Sequence, residues 1–507
     1  MKSTLKITTL VSLILALLLS LSALTACGNT GAGDTTTASA EATGNSSGDD
    51  ADSAAQTEYD PFENFEKFND TFTYLAWVQN DVVEYYGDEE SGDMIKSAVF
   101  KRNALVSDRL GVTLEFIEEK GSSGDYKTFC SNATNNISSG SHAYDAIACY
   151  TRSASLLMIQ NSLLNLLSDE TKTLDFSNPW WPASLTQLNT IGGKLYFASG
   201  DIATSLLYQM MFMCVNKGMA ANFGIEDDIQ QIAKDGGWTL DKMFEYSKDR
   251  YLNDDGDEKH SAGDRYGLFT IGHNMLDTFY IGAGLKYVDI NSEGEANISA
   301  DVGSDISYDI QSRLRNIFWQ GDTADGYFNS SGSDWEIGAS GNSLFYVLNG
   351  TTLDKYLRGA SFEYGILCAP KYNSDQDNYY TAVGFPHSMY CIPDDADNVA
   401  MSAAVLELTA RESYKKVTPV VFETAFKYRY GKTVIDADMF EIIRSGVVFD
   451  LGRTLFDQLG GDDSSPIRLW RNEIVKNTNS FASIVKSYSG QWEKKLDGTI
   501  AEITKRD

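Results

Sequence analysis

The chain has 507 residues, and its 71 Asp and Glu against 41 Lys and Arg give a formal net charge of −30. A surface this acidic argues against nucleic acid and anionic lipid head groups as partners and suits a secreted protein with a neutral ligand. Roughly 450 residues follow Thr57, more than a single core usually accommodates, so two lobes or more are expected.

Lys2 and Lys6 make a short basic start, and Ile7 to Leu24 form an apolar run that ends in "LTAC". The pattern predicts an export signal over residues 1–26, too short and too quickly interrupted for a spanning helix with a stop-transfer flank. The Cys directly after Leu-Thr-Ala resembles the lipobox of bacterial lipoproteins. That resemblance implies that Cys27 becomes the acylated N-terminus, with palmitate-type chains holding the protein at the outer face of the cell membrane. The stretch from Gly28 to Thr57 contains no aromatic residue and no Leu, Ile, Val or Met. It has nothing to bury against its ordering entropy and reads as a polar tether, so 27–57 is lipidated Cys plus linker.

Beyond the tether, "TFTYLAWV" (Thr71–Val78) and "VTLEFIEE" (Val112–Glu119) read as strands around the charged helical stretch "DMIKSAVFKRNALVSDRLG". "YDAIACY" (Tyr144–Tyr150) is the next strand and "ASLLMIQNSLLNLL" the next helical run. This strand–helix rhythm predicts an α/β lobe with a mostly parallel sheet. Leu206–Asn216, "LLYQMMFMCVN", reads as a strand passing from one core to another. In "GGWTLDKMFEYSKD", Thr239 is placed as the cap of an amphipathic helix. "FEYGILCAP" is a further strand, stopped by Pro370. Val399, Ala403, Leu406 and Ala410 form one helical stripe, and Phe481, Ile484, Val485, Tyr488, Trp492 and Leu496 another. The cysteines after Cys27 (Cys130, Cys149, Cys214, Cys368 and Cys391) are odd in number and lack Cys-x-x-Cys spacing. They read as buried small hydrophobes rather than a disulfide or zinc framework.

Taken together, leader, tether and lobes resemble the extracellular solute-binding lipoproteins of bacterial ABC importers. The finer resemblance is to family 1, the carbohydrate-type, maltose-binding-protein-like group. It is carried by "YDAIACYTRSASLLMIQNSLLNLLSD", "PWW…LNTIGGKLYFASGD", "MFMCVNKGMAANFGIED", "DGGWTLDKM", "DRYGL", "YGILCAPKYNSDQDNYY" and "ESYKKVTPVVFETAFKYRY", in that order over nearly all of Glu58 to Asp507. The resemblance implies an α/β, two-lobed, type II periplasmic-binding fold with crossing hinge strands. Lobe one would be 58–210 plus 370–412, and lobe two 211–369 plus 413–507. Leu206–Asn216 would be the first crossing and Phe362–Pro370 the second, with a third after the helix ending near Arg411. The implied partners are a carbohydrate, most simply an oligosaccharide, and the permease subunits of a transporter. The protein itself is expected to be a monomer tied to the membrane only by lipid.

The acidic stretch "LNDDGDEKHSAGDRYGL" (Leu252–Leu268) fits a twelve-residue calcium loop in part. With Asn253 at position 1, Asp255 and Asp257 fall at 3 and 5, the Lys259 carbonyl at 7, Ser261 at 9 and Asp264 at 12, alternating hard oxygens around one cation. Two features depart from the pattern: Glu258 stands where the sharp turn wants Gly, and Asp264 is shorter than the usual Glu. Loops of this kind ending in Asp-x-Tyr-Gly occur in the carbohydrate-type group, so a structural Ca²⁺ is expected, with a solvated turn as the alternative.

Sugar binding needs aromatic faces and a few fixed polar groups. The chain holds 27 Tyr, 25 Phe and 8 Trp, most of them core. The candidates for the cleft are Trp77 with Gln79 and Asn80 after the first strand, Tyr150 with Arg152, Trp335 in "SSGSDWEIGASG", and His387 in "GFPHSMY". The rival class is a lipid-anchored glycoside hydrolase working through paired carboxylates, but with 71 acidic residues any pair is easily nominated. G-x-S-x-G and H-E-x-x-H are absent, "YGKTV" has Phe426 where a P-loop needs its first Gly, and "GAGLKY" fails the dinucleotide pattern at Tyr287. The four His (His142, His260, His273 and His387) are scattered. The sequence therefore predicts a binder with no catalytic residue; a peptide ligand or a sensor-coupled role stays open.

Overall fold

The residues Asp70–Trp77 form strand β1, whose second half is wholly buried. β1 pairs in parallel on one side with β2 (Val112–Glu119), from Asp70 opposite Val112 to Trp77 opposite Glu119, and on the other with β3 (Ala146–Tyr150). Parallel neighbours require a crossover. Helix Met94–Leu110 supplies the first; its cap Asp93 accepts from Ile95 N and Lys96 N, and it ends on Gly111 in the left-handed region at φ 64°. Helix Tyr126–Ser138 supplies the second. β2 is the sheet edge and shows one buried residue, Val112, while Glu115, Ile117 and Glu118 are exposed. The computed structural model describes residues 60–79, 82–254, 256, 260–261, 263–320, 324–330, 339–426 and 434–505.

The chain then builds a second sheet from β4 (Met211–Asn216), β5 (Tyr266–Ile271), β8 (Gly326–Asn329), β9 (Ser343–Asn349) and β10 (Tyr364–Leu367), with β6 (Val288–Ile290) and β7 (Ala296–Ile298) paired apart from it. The spatial order is β10-β4-β9-β5-β8; β5 runs parallel to β8 and β9, while β4 is antiparallel to β9 and β10. Every residue of β4, β5, β9 and β10 is buried, which explains their unbroken apolar sequences. β11 (Ser388–Cys391) returns to the first sheet antiparallel to β3, giving the order β11-β3-β1-β2.

Leu206–Asn216 is not one strand. Thr204–Gln209 is helical and β4 begins at Met211, because a fully buried apolar run carries no period that separates helix from strand. The passage between the sheets is a small ladder. Met210 pairs with Val383 and Thr381 with Val447, tied by Met211 N to Ala382 O (2.8 Å), Thr381 N to Gly446 O (2.7 Å) and Gly384 N to Gln209 O (2.8 Å). Phe362–Pro370 contributes β10, and its segment crosses later, at Thr381–Gly384. Three backbone segments lying side by side form a hinge between the two lobes. Thr239 caps its helix through Lys242 N, the C-terminal helix runs Phe481–Thr504, and Cys130, Cys149, Cys214, Cys368 and Cys391 are free and buried. Among the described residues no helix is long and apolar enough to cross a membrane.

Candidate functional site

At the C-terminal end of β1 three side chains converge on one hydroxyl, that of Ser388. Trp77 Nε1 and Gln79 Nε2 each donate to Ser388 Oγ at 2.8 Å, and Tyr85 OH lies 3.0 Å from it. Gln79 Nε2 also donates to Tyr85 OH at 3.1 Å. Ser388 is the first residue of β11, so antiparallel pairing sets it beside Tyr150 at the end of β3. The loop after β1 is held from below: Glu84 is buried and accepts from Ser205 N (2.7 Å) and Tyr390 OH (2.9 Å), while Arg102 donates to the Glu84 carbonyl (2.7 Å). Gly87 sits against helix Met94–Leu110 so closely that a Cβ would lie 1.9 Å from Lys96 O. The loop thereby presents Tyr85 and Tyr86 around a cavity of about 330 Å³ with Gln79, Val83, Lys96 and Glu118. Burial holds the Tyr85 hydroxyl well above its ordinary range, whereas the Tyr86 ring is 57 % exposed and its hydroxyl donates to Glu118 at 3.3 Å.

From Trp77 an aromatic row runs along the end of the first sheet. Ring centroids are 5.4 Å apart for Trp77 and Tyr150 and 6.1 Å for Tyr150 and Tyr126. The Arg152 guanidinium lies 4.8 Å above the Tyr126 ring and 5.3 Å from that of Phe456. Arg152 engages the Asp457 carboxylate with two nitrogens, Nε to Oδ2 at 2.7 Å and Nη2 to Oδ1. Tyr126 OH accepts from Arg152 (3.2 Å) and donates to Asp457 (3.1 Å). Burial lowers the guanidinium pKa, but the bonds and charge of Asp457 more than offset this and the net shift is upward. The chain beyond Asp457 leads into helix Pro466–Val475, which packs on helix Asp305–Trp319 of the second lobe. A cavity of about 350 Å³ therefore opens between the first lobe's Tyr126, Lys127 and Arg152 and the Gln458, Asp462 and Asp463 of this segment. Near it, past the end of β5, stands His273, whose pKa is lowered to about 4 by burial and by Arg471 and Arg468. A cavity of about 650 Å³ lies elsewhere, between Phe244, Asn316, Ile317 and Asp325 at the opposite end of the second sheet from these strand termini.

Sequence reasoning named Trp77, Gln79, Tyr150, Arg152 and His387; the structure gathers the first four along one edge. His387 immediately precedes β11 and is 3 % exposed. Its Nδ1–H donates to Gly384 O at 2.7 Å, its ring packs on Phe449, and burial lowers its pKa to about 4, so it is neutral and lies against the hinge. Trp77 and Tyr150 are also buried, which leaves Gln79 and Arg152 nearer the cavities. Asn80 and Trp335 lie outside the described residues, as do Cys27, Asp255, Asp257 and Lys259. Of the acidic loop, Asn253 Oδ1 accepts from Gly256 N (2.7 Å). Asp264 is fully buried and accepts from Asp254 N (3.1 Å), Ser261 N (3.0 Å) and Tyr251 OH (3.2 Å). Among the described residues no cluster of three His, Cys, Asp or Glu is arranged to hold a metal. Sequence reading missed Tyr85, Tyr86, Tyr126, Ser388 and Asp457; only the paired Tyr in "VVEYYGDEE", just past a strand end, carried a readable signal.

No family model matches the sequence, and no curated protein matches it. Solved structures do. UgpB from Mycobacterium tuberculosis in complex with glycerophosphocholine is 13% identical, over 83% of this chain and 100% of that chain, with a TM-score of 0.52. An ABC substrate-binding protein from Listeria monocytogenes in complex with cycloalternan is 13% identical over 85% and 100%, with a TM-score of 0.51. A cyclo/maltodextrin-binding protein complexed with maltotetraose is 11% identical over 89% and 99%, also at 0.51. At such identities the likeness is one of fold: a two-lobed α/β architecture of the maltose-binding-protein-like kind.

Proposed function

We propose that the protein is the extracellular substrate-binding component of an ABC transporter, which captures a carbohydrate, an oligosaccharide in the simplest form, and delivers it to a membrane permease. One arrangement carries the reading. The aromatic and polar row of Gln79, Tyr85, Tyr126 and Arg152 ends one lobe, faces a segment leading into the other, and stands beside a three-stranded hinge. Rings supply stacking faces, amides and hydroxyls supply orientation, and closure about the hinge is favoured by whatever contacts the ligand makes only in the closed form. The cyclo/maltodextrin-binding neighbour holds maltotetraose and the Listeria neighbour cycloalternan, which makes a glycan the first ligand class to try.

Binding without turnover fits two buried or half-buried carboxylates of this edge. Asp457 is held by Arg152, and Glu84 is enclosed by Ser205 N and Tyr390 OH, so neither is placed as an acid–nucleophile pair across an open space. Tethering to the outer membrane face through Cys27 completes the proposal. So does a structural Ca²⁺ in the loop of Asn253, Asp255, Asp257, Lys259 and Asp264. Asp264 accepts from Asp254 N and Ser261 N and so draws the two ends of the loop together. The decisive experiment incubates purified protein with a glycan panel. Its true ligand at a hundred times Kd stabilises the fold by about 2.7 kcal/mol and releases no new reducing ends. Turnover of a glycan would make the protein a hydrolase instead, and stabilisation by peptides alone would replace the ligand class.

A further inference from the structure

The cavity between the lobes contains one half-buried guanidinium, and its charge is already engaged. Arg152 and Asp457 have side-chain exposures of 16% and 22% and meet in a two-point, fork-like pair, the geometry in which a guanidinium would otherwise clasp a ligand carboxylate or phosphate. Tyr126 closes the same triangle by bonding both partners. Asp462 and Asp463 line the cavity as well, and the opposing basic group, Lys127, is an exposed flexible side chain whose Nζ lies 5.8 Å from the Tyr126 ring centroid. Gln458 lines this cavity too, and its buried Oε1 has no hydrogen-bond partner among the described residues; a carbonyl oxygen accepts from a hydroxyl and disfavours an anion.

We propose that Asp457 is a specificity-determining residue: by engaging Arg152 it removes the anion clasp from the interlobe cavity, which then takes uncharged sugars and rejects carboxylate-bearing ones. The assignment rests on the capture reading above and narrows its ligand class. The field of a −30 protein repels anions everywhere, but that long-range effect is screened by salt. The Asp457 effect is local and persists at physiological ionic strength.

The test is a charge swap read by titration calorimetry at physiological salt, with maltotetraose and cellotetraose as neutral probes, tetragalacturonate as the anion and a glucosamine tetramer as the cation. Wild-type protein rejects tetragalacturonate. Asp457→Asn frees Arg152 and gains affinity for tetragalacturonate by about tenfold or more, the scale of one charge-assisted clasp, and adding Arg152→Gln abolishes the gain. Arg152→Gln alone bares Asp457 and shifts the gain to the glucosamine tetramer; this variant also serves if Asp457→Asn does not fold. Wild-type binding of tetragalacturonate comparable to the best neutral probe overturns the proposal, and so does a folded Asp457→Asn protein with no gain. Reciprocal gains in the two variants, with no neutral glycan bound by the wild type, would uphold Asp457 while removing support for the capture of a neutral sugar.

Discussion

Ser388→Ala tests whether the strand-end edge is built as described. The Ser388 side chain is fully buried, and its hydroxyl is the shared partner of Trp77 Nε1, Gln79 Nε2 and Tyr85 OH. After the substitution Tyr85 keeps Gln79 at 3.1 Å, but the Trp77 indole N–H loses its acceptor in a place closed to water. A buried donor left unpaired costs about 1–3 kcal/mol, and each further hydrogen bond lost about 0.5–1.5 kcal/mol, so the whole is on the order of 3 kcal/mol. Ser199→Ala is the control: Ser199 Oγ makes one bond, to Ser388 O at 2.8 Å, and its loss is worth about 1 kcal/mol. Urea unfolding followed by tryptophan fluorescence gives both values from the shift in midpoint at constant slope. Ser388→Ala should also weaken glycan binding, because Gln79 and Tyr85 lose their fixed orientation at the cavity. A Ser388→Ala protein no less stable than Ser199→Ala would refute the hub.

Further expectations follow from the same geometry. Gly87→Ala places a Cβ against Lys96 O, where the backbone cannot yield cheaply; it should displace the Tyr85–Tyr86 loop, destabilise by about 1–3 kcal/mol and weaken ligand binding more than a surface substitution of equal size. Burial at the cap of Leu451–Thr454 pushes the Asp450 carboxyl up to about 7, well above the ordinary carboxylate range near 3.8. Its folded pKa exceeds its unfolded one, so its stabilisation is complete below about pH 3.8 and is lost as pH rises to about 7, on the order of 4 kcal/mol in total. Asp450→Asn should flatten that slope; equal slopes in the two proteins would show that Asp450 is not its source. EDTA should lower the melting temperature and excess Ca²⁺ restore it, with Asp257→Ala abolishing the response; an indifferent melt would reduce the acidic loop to a hydrated turn.

The local pattern of this chain was enough for part of its local structure, though the helix read in "ASLLMIQNSLLNLL" ends at Ile159. The strand in "TFTYLAWV", the cap at Thr239, the stripe from Val399 to Ala410 and the burial of five scattered cysteines are short-range consequences of side-chain size, polarity and period, and the structure carries all of them. The choice of Trp77, Gln79, Tyr150 and Arg152 rested on the general rule that open α/β sheets bind ligands outside the carboxyl ends of their strands, and Trp77 and Tyr150, the last residues of β1 and β3, are buried there. Tertiary structure alone decided where Leu206–Asn216 breaks, since uniform burial erases periodicity. It also supplied the partners that give the edge its chemistry. Trp77 and Ser388 are 311 residues apart and Arg152 and Asp457 305, separations at which a sequence holds no record of which hydroxyl or carboxylate will arrive. Whether Arg152 is a free cation or half of a neutral pair is therefore settled only when a distant segment folds across it.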